Sequence, residues 1–221
     1  MRSLKIAPGE YYHVFNRGVN KHLIFHDTID RVRFLFLILY FQSPITLFNI
    51  GRMVKSFVRH SVFNIKKETE QNIIESKFIE LTSFCLMPNH FHLIVKEVEE
   101  NGTARYMQRV LNAYTKYYNA KYNKSGHLFQ GPYKIVHVKS NEQLLYLSTY
   151  IHRNPRELKE WLHKENRYPW SSYQDFLSKN RFEKLLVFNI ISGQFKNKKE
   201  YEKIVKESTA KLLKEELSWI N

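Results

Sequence analysis

Residues 78–95 read FIELTSFCLMPNHFHLIV: two apolar, strand-forming runs interrupted once, by Pro88-Asn89. Proline followed by asparagine is a turn signal, and alternation on its far side marks a strand with one buried face. Residues 78–87 and 90–95 therefore predict a β-hairpin. Along a strand, positions i and i+2 project to the same face. His90 and His92 then stand side by side, while Phe91 turns to the opposite face and the core. Two imidazoles on one face suit two ligands of one metal ion. The same pattern also describes a solvent-facing or hydrogen-bonded pair, so the motif alone leaves both readings open.

The rest of the chain supplies partners for this hairpin. Residues 11–16 (YYHVFN) read as a first strand, closed by Arg17-Gly18. Asp27 is placed to cap a helix over 30–40, apolar on most of its circumference, which Ser43-Pro44 ends. Within 42–77, IGRMVKSFVRHSVFNIKK is amphipathic and basic, and KKETEQNIIESK reads as a polar, exposed connection. Beyond the hairpin, Asn101-Gly102-Thr103 opens a helix to about Tyr122, with Thr103 as its cap. Residues 133–138 read as a strand. Asn141 caps a helix that stops near Asn154, because Pro155 disfavours helical geometry in the residue before it. YPWSSY (168–173) is a turn, and residues 181–221 carry a Lys-rich helical pattern.

Strand, helix, hairpin, helix, strand, helix is an α+β order, predicting one antiparallel sheet with helices mainly on one face. The 221 residues suffice for one domain with an appendage. The expected division is a domain over 1–180, with an insertion at about 42–77, and a basic helical extension over 181–221.

Lys and Arg total 35 against 21 acidic residues, a formal charge of +14. Such a field favours a polyanion, either nucleic acid or an anionic membrane surface. The 16 Phe and 14 Tyr favour nucleic acid, since unstacked bases of a single strand stack on aromatic rings. The most apolar run, 34–41, is too short to span a bilayer, and the opening MRSLKIAPGEYYHV lacks a signal-peptide core. The expectation is a cytoplasmic, nucleoid-associated protein without a membrane partner. The single cysteine, Cys85, excludes an intrachain disulfide and a thiolate cluster, and its apolar surroundings predict a buried structural thiol.

No acidic residue near the histidines completes a metal site. In STYIHRNP (148–155), Tyr150 and Asn154 are one helical turn apart and share a face. Asn154 can offer an amide oxygen to an ion near Tyr150; equally, Tyr150 can be a packing residue and Asn154 a C-cap. Arg105, Arg109, Lys116, Lys121, Lys124, Lys134 and Lys139 form either a phosphate-tracking surface or solvated helix faces. Arg17 and Gln130 join the candidate DNA contacts. His127, Phe129 and Tyr133 suit base stacking or core packing, and His152 faces away from Tyr150 and Asn154. The C-terminal pattern suits either a grip on a DNA hairpin or an amphipathic helix on the sheet.

LMPNHFHLIV, SGHLFQGPYK, YIHRNP and YPWSSY, in that order, resemble the single-tyrosine HUH transposases, specifically the REP-associated branch. The segment YYHVFNRGVNKHLIFHDTIDRVRFL is similar to that family's first strand and helix, so the resemblance spans roughly residues 9 to 177. It implies a ferredoxin-like palm and a metal-dependent reaction that nicks and rejoins single-stranded, hairpin-containing DNA through a 5′-phosphotyrosine. By position, His90 and His92 match the metal pair, Asn154 the polar third ligand and Tyr150 the nucleophile. Mg²⁺ or Mn²⁺ suits two imidazoles, an amide oxygen, water and phosphate. Tyr114, Tyr117 and Tyr118 compete as nucleophiles, but only Tyr150 has an amide one turn on. Family members act as dimers or, in part of this branch, as monomers, and an inactive DNA-binding descendant of the same fold is the alternative. Pro132, where relatives carry Arg, and Arg156, where an apolar residue is common, depart from the pattern.

Overall fold

The computed structural model describes residues 6–209. The hairpin forms as its alternation requires: β2 (Ile79–Met87) and β3 (His90–Glu97) pair antiparallel, with Met87 opposite His90. β1 (Tyr11–Arg17) pairs antiparallel with the other edge of β3 and with β4 (Lys134–Val138), giving the order β2-β3-β1-β4. With α1 (Thr28–Tyr40) joining β1 to β2 and α4 (Gly102–Tyr122) joining β3 to β4, this is the ferredoxin-like arrangement.

Alternation sorts the side chains into two layers. Tyr12, Val14, Leu81, Phe84, Phe91, Leu93 and Val95 face α1 and α4 in the larger core. Cys85, Met87, Ile94 and Val138 face α5 (Asn141–Arg153) and the residues after it. The antiparallel palm is the expected one. Its second face is helical too, covered by α5, α6 (Tyr173–Leu177), α7 (Asn189–Ser192) and α8 (Lys198–Glu207), so the sheet is the middle of a sandwich.

Local chemistry explains most boundaries. Asp27 caps α1 as expected, its carboxylate accepting from Asp30 N at 2.9 Å. α4 is capped differently from expectation. Thr103 lies inside the helix, and the buried carboxylate of Glu97 accepts from the amides of Gly102 and Thr103, both at 2.8 Å, and from the Thr103 hydroxyl. A negative charge there also meets the positive end of the helix dipole. Gly102 is required: a Cβ would lie 2.2 Å from the Phe78 carbonyl oxygen. For α5 the cap is Ser140 rather than Asn141, and the helix ends at Arg153, just before Pro155, as expected.

The 42–77 segment holds α2 (Ile50–His60), basic and amphipathic as expected, and a further helix, α3 (Lys67–Glu75). Residues 67–75 are thus not an exposed connection. Glu70 and Ile73, one turn apart, are buried, and Glu70 accepts from Lys184 N at 3.3 Å. Docking on the 183–185 turn, invisible in local periodicity, accounts for the helix.

Residues after 180 pack on the palm. Arg181 grips buried Asp175 (2.8 Å) and the carbonyls of Pro169 and Ser171, and Phe182, Leu185 and Leu186 enter the larger core. α8 lies on α5 as an amphipathic helix, burying Tyr201 and Val205. The rest of the expected helical tail, 210–221, lies outside the described residues. Among the described residues no helix is long and apolar enough to cross a membrane.

Candidate active site and metal centre

The sheet face that carries α5 opens into a cleft of about 530 Å³ at the ends of β1 and β3. His90, His92, Tyr150 and Asn154 all line it, so the two segments paired in the sequence converge here. The two imidazole centroids are 5.1 Å apart, and Tyr150 stands edge-on to His92, centroids 5.5 Å apart and planes at 82°. Phe15, opposite His92 in the β1–β3 register, stacks on its ring at 5.8 Å.

The turn bearing the histidines is clamped. Pro88 O accepts from Ile24 N (3.0 Å) and Phe25 N (3.1 Å), and Asn89 O from Gly18 N (2.8 Å). Gly18 allows this return, since a Cβ there would lie 2.2 Å from the His22 carbonyl oxygen. Both histidines have their Nδ1 engaged: His90 Nδ1 lies 2.7 Å from Asn89 Oδ1, and His92 Nδ1 lies 2.9 Å from His13 Nε2. An amide oxygen only accepts, so His90 Nδ1 carries the hydrogen and Nε2 is its lone-pair nitrogen. Burial pushes the His13 pKa down to about 3, keeping the ring neutral at pH 7.

Asn154 is buried and donates from Nδ2 to the Tyr150 carbonyl oxygen at 2.9 Å, which leaves Oδ1 as its acceptor atom. No group of three His, Cys, Asp or Glu side chains among the described residues can hold a metal. A set built on His90, His92 and Asn154 is therefore two nitrogens and a neutral oxygen. That set fits a hard divalent ion with positions left for water and phosphate, and it differs from a closed tetrahedral zinc site.

Burial, with the Glu157 charge adding to it, raises the Tyr150 pKa to about 12, while the Asn154 side chain acts in the opposite direction. At neutral pH the phenol is protonated. Its helix is held firmly: His152 lies between Tyr201 Oη (2.7 Å) and Ser172 Oγ (2.9 Å), and Arg153 donates to the carbonyls of Val205 (2.9 Å) and Lys206 (3.2 Å). His152 is fully buried, a structural pin between α5, α8 and the 171–172 turn.

The competing tyrosines sit across the sheet on α4. Tyr114 donates to Ile24 O (2.6 Å), Tyr117 to Asp30 (2.9 Å), and Tyr118 pairs with His26 (2.8 Å). They serve the larger core and the buried Asp30 network, which also takes Lys121 at 2.7 Å.

The candidate DNA contacts divide by position. Arg17, Gln130 and Lys134 rim the cleft, with Arg17 Nε donating to Gln130 at 2.5 Å. Lys116 and His127 line a separate groove beside α4, and Lys139 is exposed at the foot of α5. Arg105 and Arg109 are not brought to the cleft. Arg105 pairs with Glu99 (2.6 Å) and covers the Phe78 ring; Arg109 stacks on Phe41 and donates to the Ser43 and Ile45 carbonyls. Phe129 and Tyr133 are buried, and Cys85 is a buried thiol whose pKa burial drives upward. Lys21, Asn89 and Glu157 also line the cleft. Lys21 and Asn89 lie inside the segments YYHVFNRGVNKHLIFHDTIDRVRFL and LMPNHFHLIV, where the sequence assigns them no site role; Glu157, one turn of chain beyond Asn154, is the one that spacing places near the site.

A ferredoxin-like palm with two histidines on its central strand and a tyrosine on the facing helix has the architecture of the single-tyrosine HUH proteins. Residues 51–154 match the family model described as Transposase IS200 like, so the resemblance read from the motifs is borne out, and the chain is similar to a transposase-type, DNA-processing protein. A solved structure of a REP-associated tyrosine transposase bound to a REP hairpin shares the fold, with a TM-score of 0.51 at 12% identity over 86% of this chain and 92% of that one. The search of curated proteins gave no match.

Proposed function

We propose that this protein nicks and rejoins single-stranded, hairpin-containing DNA, with Tyr150 as nucleophile and Mg²⁺ or Mn²⁺ held by His90, His92 and Asn154. The observation that carries the reading is the edge-on placement of Tyr150 against His92 inside one cleft with His90 and Asn154. When bound, the ion supplies positive charge to the phosphate oxygens in the transition state.

The chain's own groups supply the rest. Arg17 and Lys134 at the cleft rim offer charge to the flanking phosphates, with Gln130 orienting Arg17. Tyr150 Oη loses its proton to water and attacks phosphorus. The new bond is tyrosine oxygen to phosphorus; the phosphorus–O3′ bond breaks, and the departing oxygen takes its electron pair and a proton to become a 3′-hydroxyl. The covalent 5′-phosphotyrosine preserves the phosphodiester energy. A 3′-hydroxyl then attacks the same phosphorus, restores the diester and releases the phenol. Anchoring of α5 by His152 and Arg153 holds Tyr150 beside His92, so little orientational freedom is lost on attack. A cytoplasmic, nucleoid-bound location belongs to the same proposal.

The test is incubation of the full chain with a hairpin-bearing single strand and Mn²⁺. Nicking that EDTA abolishes supports the reading. A protein that binds the strand and Mn²⁺ yet never cuts it contradicts the reading and identifies a DNA-binding descendant of the fold.

A further inference from the structure

We propose that His13 is a positioning residue for the metal site: its Nε2 accepts the Nδ1 hydrogen of His92 and so holds His92 in the tautomer whose Nε2 can ligate an ion. The inference rests on the metal reading above.

A neutral imidazole has one N–H, and a metal needs the other nitrogen. His90 and His92 share this requirement and meet it with different partners. For His90 the partner is the Asn89 amide oxygen, an acceptor in every state. For His92 the partner is another imidazole, at 2.9 Å. That bond can run in either direction. If His92 Nδ1 donates, its Nε2 keeps a lone pair for the ion. If His13 Nε2 donates instead, His92 carries its hydrogen on Nε2 and is closed to metal.

Three observations make His13 more than a space-filler. It is buried in the strand beside β3 and stacks on both Phe15 (4.7 Å) and His92 (5.1 Å), which packs its ring against the ligand. It also meets Tyr150 edge-on at 6.4 Å, so the acceptor ring, the ligand and the proposed nucleophile form one packed unit. Finally, its Nδ1 is buried without a hydrogen-bond partner. No hydrogen bond at Nδ1 fixes the His13 tautomer, so His13 is able to carry its hydrogen there and to keep Nε2 as the acceptor for His92. Outer partners of ligating histidines typically change metal affinity by about 10- to 100-fold when removed.

The test compares Mn²⁺ affinity, by calorimetric titration of the full-length protein, for wild type, His13→Phe and His13→Gln, with thermal melts confirming the fold. Phenylalanine keeps the ring and removes the acceptor; glutamine retains an acceptor oxygen. The expected result is Mn²⁺ binding about 10- to 100-fold weaker for His13→Phe, with glutamine recovering most of the loss. Wild-type affinity in His13→Phe, or a glutamine variant as weak as phenylalanine, overturns the inference while leaving the metal site intact. A wild type that binds no Mn²⁺ overturns the metal reading itself, and this inference with it. Should His13→Phe not fold, nitrogen-15 spectra of the wild type with Mg²⁺ decide: His92 protonated on Nδ1 supports the role, and His92 protonated on Nε2 refutes it.

Discussion

The Tyr150 ring stands edge-on to the His92 imidazole, with centroids 5.5 Å apart and planes at 82°. One residue belongs to a sheet strand and the other to a helix that crosses the sheet's second face. Their meeting turns a pair of histidines into a candidate reaction centre.

Removing the hydroxyl alone tests the nucleophile. In Tyr150→Phe, nicking of a hairpin-bearing strand is expected to fall by about three orders of magnitude or more, to background. Strand binding, measured by gel shift, should stay within about twofold, because the charged rim is untouched.

Loss of a ligand should separate metal from DNA. His90→Ala and His92→Ala are each expected to weaken Mn²⁺ binding by at least about 10-fold and to abolish nicking, with DNA affinity largely retained. Unchanged Mn²⁺ titrations in both variants would place the ion elsewhere.

Acid should loosen the helix that carries Tyr150. Burial lowers the His152 pKa from 6.5 to about 3, so the folded state binds this proton less readily than the unfolded chain. Its contribution to stability is complete above pH 6.5 and is lost as pH falls towards 3. The slope is about 1.4 kcal/mol per pH unit in that window. His13, buried and shifted in the same direction, adds a second share. Urea unfolding at pH 7 and pH 5 should show the decline, and His152→Gln should make it shallower; equal slopes would mean that the ring titrates alike in the folded and unfolded protein.

Stability and chemistry should also separate across the sheet. Glu97→Ala strips the cap from α4 and leaves the Gly102 and Thr103 amides unpaired, costing about 2 kcal/mol. Because α4 lies on the face away from the cleft, Mn²⁺ affinity at temperatures well below the melt should not change.

Much of this architecture was legible in residue order. The hairpin, the shared face of His90 and His92, the Asp27 cap and the helix stop before Pro155 all follow from local rules, and all appear in the structure. What local rules missed depends on register and docking. His13 reaches His92 because β1 and β3 pair with His13 opposite Ile94 and Phe15 opposite His92, and no local signal specifies that offset. Arg105, Arg109 and Lys121 looked like phosphate ligands in composition, yet nearby Glu99 occupies Arg105, and carbonyls and carboxylates of distant segments occupy Arg109 and Lys121. α3 is likewise a product of tertiary contact, where a buried neighbour outweighs propensity, while the Glu97 cap reaches α4 from five residues upstream rather than from the N-cap position.

Covalent mapping identifies the nucleophile. The full-length protein, incubated with labelled hairpin-bearing single-stranded DNA and Mn²⁺, is digested and the modified peptide sequenced by mass spectrometry. The expected product is a phosphonucleotide on Tyr150, absent in Tyr150→Phe. A DNA adduct on Tyr114, Tyr117 or Tyr118, or one that persists in Tyr150→Phe, would contradict it.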